Sequence, residues 1–220
     1  MNIVLLGPPG CGKGTQARRI EDRFGLVQLS TGDMLRAAVE QDGELGRKVK
    51  KTINAGKLVP DDVMIKMIAE RTAQPDCANG FVLDGFPRTV AQAEALDRML
   101  DDRGRKVDGV IQFTVDDGTL VDRIAGRFTC AKCGASYNEQ TQRPKRPGVC
   151  DKCGGTKFTR RADDKRETVS ARLEAYYAQT EPLLPYYRRQ GKLHTIDGMA
   201  DVDEVTRQIE ATIDSLLERV

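Results

Sequence analysis

Apolar residues fall in two rhythms along the chain. Short continuous runs at residues 3–6, 26–29, 81–83, 107–115 and 193–196 alternate with longer stretches whose apolar positions recur at helical spacing. A strand covered on both faces is apolar throughout, whereas a strand with one wet face alternates. Covered strands separated by helices imply parallel pairing with right-handed crossovers. The pattern therefore predicts a three-layer α/β fold around a five-stranded parallel sheet.

The helical stretches carry start and stop signals. Ala17, Ile20 and Phe24 share one face, and Leu96 and Leu100 share another. Thr89 with Gln92, and Asp201 with Glu204, are spaced as capping boxes, and Val202, Val205, Ile209, Ile213 and Leu216 form the last apolar stripe. Pro182 and Pro185 interrupt a helical pattern that starts near Lys165, so that helix is expected to kink or end near Thr180. Two stretches fit no simple crossover. Residues 30–59 read as helical segments punctuated by Gly43, Gly46 and Gly56, and residues 127–164 are rich in Cys, Gly, Pro and charge. Both are expected to be insertions into a core made of residues 1–29, 60–126 and 165–220.

Composition narrows the partners. Lys and Arg total 35 against 33 Asp and Glu, a net charge of +2, which is too balanced for a general nucleic-acid or membrane-surface binder. Any anion site must be local. The first six residues lack the charged start of a signal peptide and lead straight into a glycine loop, and no apolar run nears the ~20 residues of a membrane span. The expectation is a cytoplasmic protein with neither nucleic acid nor membrane as partner.

That local site is visible at residues 7–15, GPPGCGKGT, between a strand-like run and a helix. This is the context a phosphate-binding loop requires. Gly10, Gly12 and Gly14 let backbone N–H groups around Cys11 and Thr15 converge on phosphate oxygens, the helix N-terminus adds positive dipole, and Lys13 adds a compact charge. The residue after Lys13 is Gly14, where the general motif has Ser or Thr, and the hydroxyl comes one position later at Thr15. That spacing argues against direct Mg²⁺ ligation by Thr15. Asp84, ending the 81–83 run, is the alternative holder of Mg²⁺ or its water shell, unless it is a buried structural carboxylate.

Six cysteines need a second explanation. Cys130 and Cys133, and Cys150 and Cys153, form two CxxC pairs separated by sixteen residues, the spacing of a four-cysteine zinc site. Disulfides, free thiols or another metal such as iron are the alternatives. A closed four-thiolate set leaves no open position, so one structural Zn²⁺ per chain would staple the segment and take no part in chemistry. Cys11 and Cys77 lie outside the set. His194, the single histidine, reads as structural.

The segments GPPGCGKGTQ, STGDMLRAAV, GKLVPDD, NGFVLDGFPRT and RADDKRETVSAR, with the spacings between them, resemble adenylate kinase in its long-lid, cysteine-bearing form. The resemblance implies a P-loop nucleotide kinase core, an NMP-binding insertion at 30–59 and a lid at 127–164. It implies Mg²⁺-dependent, reversible phosphoryl transfer from ATP to AMP giving two ADP, by a monomer. By the same resemblance Gly10, Cys11, Gly12, Lys13, Gly14 and Thr15 bind ATP, as do Arg123 and Arg127, with Ser136, Tyr137 and Ala200 near its adenine. AMP falls to Thr31, Arg36, Lys57, Leu58, Val59, Gly85, Phe86, Pro87, Arg88 and Gln92. Arg161 and Arg172 serve AMP and the transferring group, and Lys13, Arg88, Arg123, Arg161 and Arg172 form the catalytic set.

The chemistry of the side chains is consistent with that implication. Arg36 and Arg88 suit a phosphate through the guanidinium fork, and the Gln92 amide offers adenine both a donor and an acceptor. An AMP phosphate, with a second pKa near ~6, is largely ionised at neutral pH and needs no strong base, so positioning and water exclusion carry the reaction. A zinc-ribbon nucleic-acid module would share the CxxC pairs but has no use for Lys13 and its loop. A kinase for another nucleoside monophosphate is the closer rival.

Overall fold

In the computed structural model, residues 1–41 and 43–218 are described; Asp42, which falls in the expected insertion, and Arg219 and Val220, which end the expected core segment, lie outside the described residues. The chain runs β1 (Asn2–Leu6), α1 (Lys13–Phe24), β2 (Val27–Ser30), α2 (Thr31–Glu40), α3 (Glu44–Asn54), α4 (Asp61–Thr72), β3 (Phe81–Asp84), α5 (Val90–Asp101), β4 (Gly109–Thr114), α6 (Asp117–Ala125), β5 (Arg127–Cys130), β6 (Ser136–Asn138), β7 (Phe158–Thr159), α7 (Arg166–Ala175), α8 (Leu183–Arg189), β8 (Leu193–Asp197) and α9 (Val202–Leu217). All five apolar runs are strands of one parallel sheet, ordered β2-β3-β1-β4-β8.

The two-faced burial inferred from the runs has a direct counterpart in β1. Ile3 and Leu5 point into one apolar cluster with Ile20, Ile209 and Ile213, which places α1 and α9 on that face. Val4 and Leu6 point into the other, with Ile68, Leu96, Leu100 and Tyr187 from α4, α5 and α8. The strand expected at 107–115 is shorter than its apolar run. Val107 is fully buried, but pairing starts at Gly109, because the Asp108 carboxylate accepts from Asn2 N at 2.7 Å and ties the lead-in to the start of β1.

The helix signals hold with local changes. Thr89 Oγ1 accepts from Gln92 N at 3.2 Å, yet the Gln92 amide turns to Arg88 N instead of closing the box. Asp201 caps Asp203 N, one position earlier than expected, because the Glu204 carboxylate pairs with Arg207. After α7 the backbone widens into a π turn over Tyr176–Thr180, with Glu181 N donating to Tyr176 O, and α8 begins after Pro182. Residues 30–59 hold α2 and α3. Residues 127–164 hold a three-stranded antiparallel sheet, β6-β5-β7, whose strands are two to four residues long. Among the described residues no helix is long and apolar enough to cross a membrane.

Candidate functional site

A cavity of about 670 Å³ opens at the C-terminal ends of β1 and β3, where parallel sheets place their ligands, and is walled in part by residues of 30–59 and 127–164. Its floor is the loop between β1 and α1. Gly10 and Gly12 take positive φ (84° and 103°), and a Cβ at Gly10 would lie 2.6 Å from the Ile124 side chain, so the loop needs glycine there for conformation and for space. Lys13 Nζ donates to Gly7 O at 2.7 Å and Pro8 O at 2.9 Å, curled over its own loop at the N-terminus of α1. Cys11 is buried with its sulfur against Gly7, so it offers the cavity backbone rather than a thiol. The Gly14 departure also has a spatial reason: a Cβ on Gly14 would stand 3.3 Å from Asp84 Oδ2. The carboxylate at the end of β3 thus stands directly beside Gly14.

The opposite wall is the segment after β3. Gly85 has φ 86°, and its carbonyl accepts from Thr31 Oγ1 at 2.9 Å and from Arg88 Nε at 2.8 Å. Arg88 is held through its backbone as well, with N donating to Gln92 Oε1 at 2.8 Å and O accepting from Thr180 Oγ1 at 2.9 Å. Gln92 Nε2 and Thr89 Oγ1 both donate to the Asp61 carboxylate, at 2.7 and 2.9 Å. The Gln92 amide thus gives one donor and one acceptor to protein and has one N–H and one lone pair left. Lys57, Leu58, Val59, Pro87 and Gln92 line the cavity; the Phe86 side chain is instead buried in the core, leaving only backbone near the site.

Between the two walls stand the arginines. Arg127 makes a bidentate pair with Asp164 at 2.5 and 3.0 Å, Arg172 reaches Asp163 at 3.0 Å, and Arg36 lies 2.5 Å from Asp33 and 4.0 Å from Asp163. Arg161 reaches back across the cleft to Asp33 at 3.4 Å. Burial and the neighbouring Arg172 push Arg88 down to about 10 despite Asp84. Burial, then Arg127 and Arg36, do the same to Arg161, again to about 10, and burial lowers Arg172. Asp33 is raised by burial, but Arg36 and Arg161 outweigh this and leave it below the usual carboxylate range. Guanidinium groups crowded together and half-desolvated form a site that gains when an anion enters. Arg123 stands apart, donating to Gly198 O at 3.3 Å near Ala200.

Comparison with known proteins agrees with this geometry. The sequence model of the family described as adenylate kinase matches residues 5–192. The chain belongs to the adenylate kinase family. Among its relatives, the adenylate kinase of Allorhizobium ampelinum is 55% identical over 216 residues, covering 98% of this chain and all of that protein. That of Paramagnetospirillum magneticum is 56% identical over 215 residues, covering 98% and 99%, and that of Archaeoglobus fulgidus is 50% identical over 216 residues, again 98% and 99%. The chain is therefore a nucleoside monophosphate kinase of the ATP:AMP phosphotransferase type on an α/β P-loop core.

The same kinase brings its four paired cysteines together. All four Sγ atoms lie within 4.8 Å of one another, with Cys130–Cys153 and Cys133–Cys150 at 3.6 Å. A tetrahedron with metal–sulfur bonds of about 2.3 Å has edges of about 3.8 Å, so the set fits a closed four-thiolate metal site, and no sulfurs are close enough for a disulfide. The Tyr137 hydroxyl donates to Cys150 Sγ at 3.4 Å and accepts from Asp151 N at 2.7 Å. That donation holds the Cys150 thiol down at about 6, which favours the thiolate a metal needs.

Most of the residues expected from sequence meet around the one cavity, including Ser136 and Ala200. The Tyr137 ring does not: it is buried between Phe128 and Phe158 in the apolar centre of 127–164, so Tyr137 can meet a nucleotide only through its backbone. The carboxylates Asp33, Asp163 and Asp164 were not anticipated. The adjacent acids in RADDKR, a segment already carrying cavity arginines, were the available signal.

Proposed function

We propose that this cleft transfers the terminal phosphoryl group of Mg²⁺-ATP to AMP, reversibly, and yields two ADP. The observation that carries the reading is that Lys13, Arg36, Arg88, Arg123, Arg127, Arg161 and Arg172 all face one cavity between the phosphate loop and the Gly85–Arg88 turn. On this reading Gly10 to Thr15 cradle the ATP phosphates with amides and Lys13, while Arg123 and Arg127 approach from the side of Ser136, Tyr137 and Ala200. AMP sits opposite, among Thr31, Arg36, Lys57, Leu58, Val59, Gly85, Pro87, Arg88 and Gln92, with backbone from Phe86.

An AMP phosphate oxygen forms the new bond to the terminal phosphorus as the bond to the β-phosphate oxygen breaks. No group of the protein takes a proton, because the attacking phosphate is already ionised near neutral pH. The protein's contribution is alignment and charge. Lys13, Arg88, Arg123, Arg161 and Arg172 neutralise the equatorial oxygens, and the carboxylates that now hold four of the arginines give way to phosphate. Asp84 would hold Mg²⁺ through water, and the bound ion would supply further neutralisation of the phosphates. Residues 30–59 and 127–164 close over the nucleotides and keep water from acting as acceptor, against a core of 1–29, 60–126 and 165–220. Cys130, Cys133, Cys150 and Cys153 hold one Zn²⁺, which stiffens the lid and stays out of the chemistry.

The reading extends to a monomer in the cytoplasm without nucleic-acid or membrane partners, in keeping with a net charge of +2. Its test is a coupled assay of purified protein with Mg²⁺-ATP and each nucleoside monophosphate in turn. AMP is expected to be the best acceptor; a better rate with uridylate, cytidylate or guanylate refutes the choice of acceptor.

A further inference from the structure

Each cysteine pair presents one contact to α1, and the two positions they reach on α1 are a single turn apart. Gly134, the residue after Cys133, accepts through its carbonyl oxygen from Arg18 Nη1. Lys152, between Cys150 and Cys153, reaches Asp22 Oδ2 at 3.3 Å. Arg18 and Asp22 are related as i and i+4, so they share one face of the helix that begins at Lys13. The approach at the first pair is close: Gly134 has φ 70°, and a Cβ there would lie 2.7 Å from Arg18 Nη2. All four residues also line the rim of the cavity, and none of them is a sulfur ligand or part of the phosphate loop.

We propose that Arg18 and Asp22 are positioning residues, a seat on α1 that receives the metal-bound lid and couples metal occupancy to lid closure. The proposal rests on the lid and metal readings above. Two independent loops would each lose conformational freedom in finding the seat. Once one ion ties the four sulfurs, the second contact follows the first as an intramolecular event. The two contacts differ in weight. Lys152 and Asp22 are largely exposed, 58% and 67% at the side chain, so that pair contributes little alone, whereas the half-buried Arg18 donates a charged hydrogen bond to backbone.

The test uses full-length, zinc-loaded protein with dyes attached through click-reactive side chains at exposed Lys145 in the lid and Arg98 on α5. Metal per chain, thermal midpoint, dye separation and KM for each nucleotide are measured for wild type, Arg18→Ala, Asp22→Lys, and Asp22→Lys combined with Lys152→Asp. Arg18→Ala is expected to keep its metal and midpoint, to open the lid, and to raise KM for ATP roughly fivefold to tenfold with a smaller change for AMP. Removing the metal opens wild type by the same amount and opens Arg18→Ala no further. The charge swap recovers what Asp22→Lys loses. Equal opening of wild type and Arg18→Ala on metal removal, or an Arg18→Ala protein with wild-type dye separation and KM, overturns the seat. A wild type that takes up no zinc overturns the metal reading on which the seat depends, and metal per chain reports that failure separately from the dye signal.

Discussion

The two sides of the cleft are built from the same chain by opposite means. On the core side, Ile3, Ile111, Phe81, Val82 and Leu83 are essentially inaccessible, and two apolar clusters fix the strand ends from both faces of the sheet. On the side of residues 127–164 the apolar cluster amounts to three rings packed on the cysteines, and ion pairs such as Arg127–Asp164 supply much of the remaining contact. Groups that need fixed geometry, the loop amides and the Gly85–Arg88 turn, stand on the side made rigid by burial. Most of the cavity arginines on the other side, Arg36, Arg127 and Arg161, are paired with the carboxylates Asp33 and Asp164. A core covered on both faces fixes strand ends by burial, whereas a cluster as small as that of 127–164 has to lean on polar and sulfur contacts.

Truncation should break this contrast at its strong end first. Phe81→Ala, in the middle of the core, is expected to cost roughly 3–5 kcal/mol by chemical denaturation, whether or not zinc is present; a loss below ~1 kcal/mol would mean that the core does not set the sheet. Arg88→Ala should lower turnover by about two to three orders of magnitude while leaving ATP affinity by calorimetry nearly intact, and a near-wild-type rate would remove Arg88 from the phosphate. Chelation should lower the thermal midpoint by several degrees, about 1–2 kcal/mol for a chain of this size, and lower turnover at moderate temperature less. Immediate, equal loss of turnover with the fold intact would give the metal a part in the chemistry. The smallest effect belongs to the element joining the two sides: Asp116 caps α6 through Gly118 N at 2.7 Å, and Asp116→Ala should cost about 1 kcal/mol in thermal unfolding. No measurable change there would show that the α6 start is held by packing alone.

The core was readable in sequence because burial on both faces leaves unbroken apolar runs, and the phosphate loop because its glycines have no cheaper role between a strand and a helix. The strands within 127–164 were not. β5, β6 and β7 are too short for any period to show, and their cohesion comes from sulfur and aromatic contacts distant in sequence, such as Tyr137 with Cys150. The Tyr137 ring could be placed at the centre of 127–164 only once Phe128 and Phe158 were known to flank it. Asp33, Asp163 and Asp164 read as ordinary surface acids until the fold set them against the arginines. Gln92 was recognised as a cavity amide, but its tie to Asp61 crosses from α5 to α4, a contact that no local pattern encodes.

The central claim, that cations from both sides converge on a phosphoryl group passing between two nucleotides, is tested most directly by following purified protein with ATP, AMP and Mg²⁺ by phosphorus NMR. The account predicts that ATP and AMP disappear in equal amounts while twice that amount of ADP appears, without release of inorganic phosphate. Phosphate release from ATP without loss of AMP, or no ADP at all, would contradict it.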